Sequence, residues 1–138
     1  MREQLIKLLQ IHNLEELGIN IKIPIELYVD KIINFSTVIP YFKEGKLMAF
    51  ISYYNNDSLK DNSFLTMILV AKEFQGKGIG KLLLELSIKD VMHDGFKRYG
   101  LEVLKSNKKA IALYTAKGFV QKEEKGDVLL MEKSLHNG

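Results

Sequence analysis

Three glycines at alternate positions mark the stretch of this sequence that is most informative about chemistry. Gly76, Gly78 and Gly80 follow an apolar run over residues 64–70 and lead into an amphipathic run from Ile79. Glycine takes positive φ and has no β-carbon to keep an anion from the main-chain amides. The first amides of a helix have no partner within it, and the helix dipole places partial positive charge beside them. The stretch therefore predicts a turn that holds a diphosphate through main-chain N–H groups, with added charge from lysines. Its residues are Gln75, Gly76, Lys77, Gly78, Ile79, Gly80 and Lys81.

Two better-known phosphate-binding motifs do not match this turn. The Walker motif needs a glycine and a hydroxyl residue where this chain has Gln75 and Leu82. The dinucleotide-binding fingerprint G-x-G-x-x-G needs its last glycine where this chain has Lys81 or Leu83, depending on the register. Both kinds of site are therefore excluded here.

The spacing does fit the pattern Q/R-x-x-G-x-G/A, with Gln75, Gly78 and Gly80 at its defined positions. At these residues the sequence resembles the GNAT superfamily of acyl-coenzyme A dependent N-acetyltransferases, whose pyrophosphate-binding turn has this form. The resemblance covers about residues 38–135. Further matching residues downstream are Asn107, Ala110, Tyr114 and Gly118-Phe119. The resemblance implies acetyl-coenzyme A as the acyl donor, a small-molecule or peptide amine as the acceptor, and no metal.

The resemblance also implies where the coenzyme lies. In the family, the pantetheine arm hydrogen-bonds like an added strand to the first of two central parallel strands, here the main chain around Ile68, Leu69 and Val70. An unpaired strand edge offers free N–H and C=O groups to such a ligand. Main-chain N–H groups near Ile68 are candidates to stabilise the carbonyl oxygen as negative charge develops.

Side chains after the second parallel strand match further family positions. Tyr114 corresponds to the tyrosine that protonates the departing coenzyme A thiolate, and its alternative role is a core tyrosine. Asn107 corresponds to the asparagine that contacts the pantetheine arm, and its alternative role is a helix cap. Lys108 and Lys109 are candidates for the ribose 3′-phosphate.

The general base is not evident from the sequence. Many relatives carry a glutamate on the central strand, but residues 64–70 contain no carboxylate or histidine. Thr66, Tyr53 or a water path from Glu102 are the substitutes, and none is convincing. His12 has the right chemistry for a base, but its spacing favours a half-buried helix residue.

Periodicity predicts the elements that must position these side chains. The predicted helices cover residues 2–12, 24–35, 79–93 and 108–117. The predicted strands cover residues 38–42, 47–54, 64–70, 99–104, 119–122 and 128–135. Gly45 lies in the first hairpin connection, and residues 123–127 form the last. The strand, glycine turn, helix and strand of residues 64–104 predict a right-handed crossover with parallel strands.

Length and composition set broader limits. At 138 residues the chain is expected to form a single domain over 1–138. It has no cysteine, which excludes thiol chemistry and disulfides, and no apolar run of membrane-spanning length, so a cytoplasmic location is expected. The formal charge of +3 is too small to argue for nucleic acid. Several lysines nonetheless lie near the two motif regions, where they suit an anionic coenzyme or form an ordinary solvated face. They are Lys72, Lys77, Lys81, Lys105, Lys108, Lys109 and Lys117.

Together these features predict an α/β (α+β) fold with a GNAT-like mixed sheet of about six strands, whose central parallel pair splays apart between flanking helices. The usual first strand is not evident, so either it is missing or residues 19–23 replace it. The leading functional hypothesis is an N-acetyltransferase, with a homodimer left open. A catalytically weak coenzyme A binding or regulatory module is the alternative, and a lysine-based nucleic-acid binder is a third class that is not expected.

Overall fold

A computed structural model describes residues 1–15, 19 and 21–135 of the chain. Its helices are α1 (Arg2–Gln10), α2 (Ile25–Phe35), α3 (Ile79–His93) and α4 (Lys108–Ala116). Its strands are β1 (Thr37–Lys43), β2 (Lys46–Tyr54), β3 (Asn62–Val70), β4 (Arg98–Leu104), β5 (Val120–Lys125) and β6 (Val128–Ser134). None of the helices in these ranges is long and apolar enough to cross a membrane.

The six strands form one mixed sheet in the order β1-β2-β3-β4-β6-β5. Only the central pair, β3 and β4, is parallel. This pair is joined from Asn62↔Arg98 to Phe64↔Gly100, although β3 continues to Val70 and β4 to Leu104. The two strands therefore separate toward their carboxyl ends, which confirms the predicted fold class and its splayed pair.

Each face of the sheet carries its own hydrophobic core. On one face α3 and α4 pack on the sheet through buried residues such as Leu83, Leu84 and Tyr114. On the other face α1 and α2 pack through residues such as Leu9 and Ile32. Burial of this apolar area is the main term that stabilises the fold. The gap between β3 and β4 thus lies between two helical layers.

The apolar face of α2 differs from its predicted stripe. The spacing of apolar residues in this segment predicts a stripe of Leu27, Tyr28, Ile32 and Phe35, but Leu27 and Phe35 are 58% and 60% exposed. Ile32 of the stripe is fully buried, and so is Val29, which the stripe does not include. The helix is apolar on much of its surface, so periodicity alone cannot choose its buried side, and packing against α1 decides it.

Two other predicted segments differ from the structure. β5 extends to Lys125, because Gly126 takes φ of 60° and permits a tight turn where a loop over residues 123–127 was expected. The described residues among 19–23 form no strand, so this segment does not replace the missing first strand. Gly18, which the sequence places after the first helical region, and the chain end over residues 136–138 lie outside the described residues.

Candidate functional site

A cleft of about 910 Å³ opens where β3 and β4 separate. α4 and the glycine turn line one side of it, and α2 with the segment before it lines the other. Most of the residues predicted to bind the coenzyme or to act in catalysis line this cleft, and the exceptions among the coenzyme-site lysines are Lys77 and Lys108. Those that line it are Ile68, Leu69, Val70, Gln75, Gly76, Gly78, Ile79, Gly80, Lys81, Asn107, Lys109 and Tyr114.

The glycine turn has the geometry expected of an anion site. Gly76 and Gly78 take φ of 77° and 82°, in the left-handed region that other residues adopt at a cost. Gly78 also precedes the first residue of α3, and its carbonyl accepts the first helical hydrogen bond, from Leu82 N at 3.0 Å. The amides of residues 79–81 therefore have no partner within the helix. They lie beside the cleft, where the dipole of a 15-residue helix favours an anion.

The β3 edge presents its main-chain groups to the cleft. Ala71 N donates to Met48 O of β2 at 2.7 Å, so the main chain of Ala71 faces β2. Main-chain groups alternate sides along a strand, so those of Val70 and Ile68 face the gap. The Gln75 side chain donates to Val70 O at 3.0 Å, which ties the turn to the end of the strand. Among the two cleft-facing carbonyls, that of Ile68 is left for a ligand.

Lys77 is the predicted turn residue that does not line the cleft. Its ammonium lies 5.1 Å from the centre of the Phe74 ring, and that of Lys43 lies 5.3 Å from the same ring. Such cation–π contacts hold both lysines at the outer side of Phe74, which itself lines the cleft. The turn therefore carries positive charge on its outer surface as well as at Lys81.

Tyr114 is a buried tyrosine whose hydroxyl makes no hydrogen bond to any described residue. Its ring packs against Phe119 at 5.8 Å between centroids, and the residue lines the cleft. Burial raises the pKa of Tyr114 to about 12 because the low-polarity surroundings disfavour the phenolate. The side chain is thus a core aromatic whose phenol keeps its proton at physiological pH.

Asn107 caps α4 and faces the cleft at the same time. Its side-chain oxygen accepts a hydrogen bond from Ala110 N at 3.2 Å, which leaves its amide N–H₂ group for a ligand. Lys109, exposed on the first turn of α4, lines the cleft, whereas Lys108 does not. Lys109 is the better placed of the two for a phosphate.

Two of the remaining motif-region lysines are held by carboxylates. Lys117 pairs with Glu85 at 2.5 Å, and Lys105 pairs with Glu124. The Lys117 ammonium also lowers the pKa of Glu85. Of the lysines expected to suit an anionic coenzyme, Lys81 and Lys109 are the ones that line the cleft.

The structure separates the candidates for a general base. Tyr53 is fully buried and donates to Asp90 Oδ2 at 2.6 Å, and burial together with this hydrogen bond raises its pKa. Thr66 lines the cleft, but its hydroxyl lies 2.6 Å from Ser52 Oγ and donates to Ser52 O. Glu102 is exposed and lines the cleft. Tyr53 is therefore a structural residue, and Glu102 is the carboxylate with access to the cleft.

His12 lies outside the cleft lining, half-buried just after α1. Its Nδ1 is 2.8 Å from Leu8 O, and its Nε2 accepts a hydrogen bond from Lys72 N at 3.1 Å. Both ring nitrogens are thus engaged by main chain. The ring joins α1 to the segment before the glycine turn.

Sequence reasoning missed the side chains that α2 contributes to the cleft. Tyr28 and Lys31 line it from one face of α2, and Lys22 and Tyr54 lie nearby along the same wall. Burial raises the pKa of Tyr28. Tyr28 and Lys31 are one helical turn apart, but that signal only becomes informative once Val29 and Ile32 are known to face the core.

The comparisons with known proteins agree with this architecture. A family model described as the acetyltransferase (GNAT) family matches residues 8–119. N-alpha-acetyltransferase MAK3 of Arabidopsis thaliana is 33% identical over 81 residues, which are 58% of this chain and 43% of that protein. The chain therefore spans less than half the length of this relative.

Solved structures match over nearly the whole chain. The PaiA N-acetyltransferase of Thermoplasma acidophilum in complex with coenzyme A matches with a TM-score of 0.78 and 22% identity, covering 96% of this chain and 92% of that one. Aminoglycoside 6′-acetyltransferase type Ii matches with a TM-score of 0.81 and 18% identity, covering 99% and 91%. At these identities the likeness establishes a shared fold.

Proposed function

The chain belongs to the GNAT family of acetyltransferases, and we propose that it transfers an acetyl group from acetyl-coenzyme A to a primary amine. The amine attacks directly in a ternary complex. The observation that carries the proposal is that the glycine turn, the free edge of β3 and Tyr114 line one cleft between the splayed strands. These are the parts that an acyl-coenzyme A and its reaction require.

The coenzyme lies along the α3 and α4 side of the cleft. Its diphosphate accepts hydrogen bonds from the unpaired amides at the start of α3, with Lys81 and Lys109 adding charge. The pantetheine arm pairs with the main chain of Ile68, and the Asn107 amide group meets it from the start of α4, across the gap from β3. The thioester is then placed in the gap between β3 and β4.

The chemical step needs little more than positioning and two proton transfers. The nitrogen lone pair of the amine forms a bond to the thioester carbonyl carbon, and the carbonyl oxygen takes up the negative charge beside the Ile68 amide. The carbon–sulfur bond then breaks. Tyr114 gives its phenolic proton to the leaving thiolate and regains a proton from solvent before the next turnover.

The proton lost by the amine goes to Glu102 through water. Glu102 lies on β4, with its side chain on the opposite face of the sheet from the buried Leu101 and Val103. The acceptor therefore approaches from the α2 side, and the acetyl group passes through the gap between the strands. This assignment accounts for a cleft that is lined by both helical layers.

A coenzyme A binding or regulatory module is the second candidate function. It is favoured by one observation, the lack of a carboxylate on β3 together with a Thr66 hydroxyl that is already hydrogen-bonded. Turnover with a panel of amines separates the two functions, because a binding module holds acetyl-coenzyme A without consuming it. A cytoplasmic location, a homodimer and the lack of nucleic-acid binding stay predictions.

Calorimetric titration of acetyl-coenzyme A into the wild type, Gly78→Trp and Gly45→Trp tests the coenzyme site. Gly45, in the β1–β2 turn, is a matched control, because it has φ of 78° against 82° at Gly78 and both positions face open space. Backbone strain and added bulk are therefore alike in the two variants. We expect micromolar binding to the wild type and to Gly45→Trp, and its loss in Gly78→Trp.

Two results would contradict the proposal. If the wild type does not bind acetyl-coenzyme A, the acetyltransferase assignment is wrong. If Gly45→Trp and Gly78→Trp weaken binding equally while circular dichroism shows both folded, the coenzyme does not use the glycine turn.

A further inference from the structure

We infer that the acceptor carries an anionic group in addition to its amine, and that Lys22 and Lys31 bind that group. This inference rests on the proposed function and names the class of its substrate. Both lysines are exposed residues that line the cleft on the α2 side. This acceptor end is distinct from the coenzyme end, where Lys81 and Lys109 lie.

The charges of α2 are divided between its two sides. Asp30 accepts hydrogen bonds from Arg2 of α1 at 2.6 and 3.3 Å, and the Arg2 hydrogen bond lowers the pKa of Asp30. Glu26 accepts from Gln10 of α1 at 3.4 Å. The two carboxylates of this helix thus bind α1, and its Lys31 is left facing the cleft.

Among the described residues, no carboxylate forms an ion pair with either lysine of the acceptor end, Lys22 or Lys31. The single carboxylate in the described lining is Glu102. Since Glu102 serves the amine in the proposed reaction, the acceptor end keeps a net positive charge for another part of the substrate.

The rest of the acceptor end is apolar or aromatic. Its lining includes Ile21, Tyr28, Tyr54 and Phe64. Such walls suit a substrate with an apolar body, and the exposed Lys22 and Lys31 favour a substrate that also carries a negative charge. A polyamine or another polycation meets like charge here and is therefore a poor acceptor.

Competition among matched acceptors tests the inference. The probes are the dipeptide amides Phe-Glu-NH₂, Phe-Gln-NH₂ and Phe-Arg-NH₂, which share one primary amine and carry a negative, a neutral and a positive side chain next to it, with Gln matching Glu in shape. With the wild type we expect kcat/KM for Phe-Glu-NH₂ to exceed that for Phe-Arg-NH₂ by about tenfold or more at low salt. The ratio should fall as ionic strength rises.

Variants that change the charge at Lys22 and Lys31 test whether these two lysines cause the preference for the acidic probe. Lys22→Gln/Lys31→Gln should bring the ratio to within about twofold, and Lys22→Glu/Lys31→Glu should invert it. Lys122→Gln is the control, because it removes the same charge from an exposed position on β5, away from the cleft. It should keep the wild-type ratio.

Other outcomes overturn the inference. The inference is wrong if the wild type acetylates the three probes equally or prefers Phe-Arg-NH₂. It is also wrong if Lys22→Gln/Lys31→Gln leaves the ratio of kcat/KM values for Phe-Glu-NH₂ and Phe-Arg-NH₂ unchanged. If no probe is acetylated while acetyl-coenzyme A still binds, the substrate class is wrong and the coenzyme site stands. Loss of acetyl-coenzyme A binding in the wild type instead removes the proposed function itself.

Discussion

Tyr114 has a structural role in the core and a proposed catalytic role, and a single substitution can separate the two. Its hydroxyl has no hydrogen-bond partner among the described residues, whereas its ring packs against Phe119. Tyr114→Phe should therefore lower kcat roughly tenfold to several hundredfold and leave the thermal midpoint unchanged or slightly higher. Steady-state kinetics and thermal unfolding measure the two effects.

The Michaelis constant for acetyl-coenzyme A provides the control for Tyr114→Phe. It should change little, because the phenol acts on the thiolate after the coenzyme is bound. An unchanged kcat would show that solvent protonates the thiolate and that Tyr114 is a core residue alone.

The raised pKa of Tyr114 predicts how activity and stability depend on pH. Because this pKa is about 12 against an ordinary 10.0, Tyr114 remains a proton donor across the neutral range. The rate should therefore rise with deprotonation of the acceptor amine and show no loss from Tyr114 below about pH 10. A pH–rate profile measures this, and a fall centred near pH 8 would contradict it.

The raised pKa of Tyr114 also predicts the direction in which the free energy of unfolding changes with pH. Above pH 10 the unfolded tyrosine loses its proton while the folded one keeps it, so the free energy of unfolding falls as pH rises from 10 toward 12. Burial raises the pKa of Tyr53 and Tyr99 in the same direction. Urea midpoints measured from pH 8 to 11 should decline, and Tyr114→Phe should decline less steeply.

Two substitutions of Asn107 can distinguish its role as a helix cap from its proposed role in coenzyme binding. Asn107→Ala removes the α4 cap and should cost about 1 kcal/mol of unfolding free energy. Asn107→Ser restores a cap but not the amide N–H₂ group, so stability should return while the KM for acetyl-coenzyme A stays raised. If Asn107→Ser also restores the wild-type KM, Asn107 acts only as a cap.

At the scale of elements, the hydrogen bond between Tyr53 and Asp90 joins β2 to α3. Tyr53→Phe removes this bond but leaves Asp90 exposed to water, so we expect a loss of about 1 kcal/mol in unfolding free energy. Because Tyr53 lies outside the cleft lining, kcat/KM should stay at the wild-type value. Denaturant unfolding and kinetics test both statements, and a large loss of kcat with preserved stability would restore Tyr53 as a base candidate.

The elements that carry local signals could be predicted from the sequence. The bounds of α3 were predicted as residues 79–93 and are Ile79–His93 in the structure, since Gly78 and Gly95 mark its two ends by positive φ. The proposed coenzyme end of the cleft could also be predicted, from the same glycines and from α4. Most of the proposed contacts with the coenzyme come from main-chain groups, and the spacing of the glycines is enough to predict where these groups lie.

The acceptor end could not be predicted because tertiary packing determines it. Lys31 and Tyr28 reach the cleft only because α2 buries Val29 and Ile32 against the sheet. The predicted stripe of Leu27, Tyr28, Ile32 and Phe35 includes the buried Ile32 together with the exposed Leu27 and Phe35, so it does not separate the buried side of the helix from the exposed side. Tyr53 was likewise a base candidate until its burial and its bond to Asp90 were known.

For the whole molecule, ligand binding should be visible as stabilisation. A ligand at a hundred times its Kd raises the unfolding free energy by about 2.7 kcal/mol, which for a chain of this length corresponds to roughly 8–11 °C in thermal midpoint. We expect this shift with coenzyme A and a smaller one with dephospho-coenzyme A, which lacks the 3′-phosphate that Lys109 is proposed to meet. Thermal scans at low salt measure both, and equal shifts would argue against a role for Lys109.

The strand order also leaves β1 and β5 at the two edges of the sheet. Edge strands are templates for edge-to-edge aggregation unless something interrupts or charges them. β1 contains Pro40, which has no N–H to donate, and β5 is exposed along its whole length with charged residues from Lys122 to Lys125. Both ends of the sheet are thereby protected against uncontrolled strand addition, and the free edge that can accept an extended partner lies inside the molecule, in the gap beside β3.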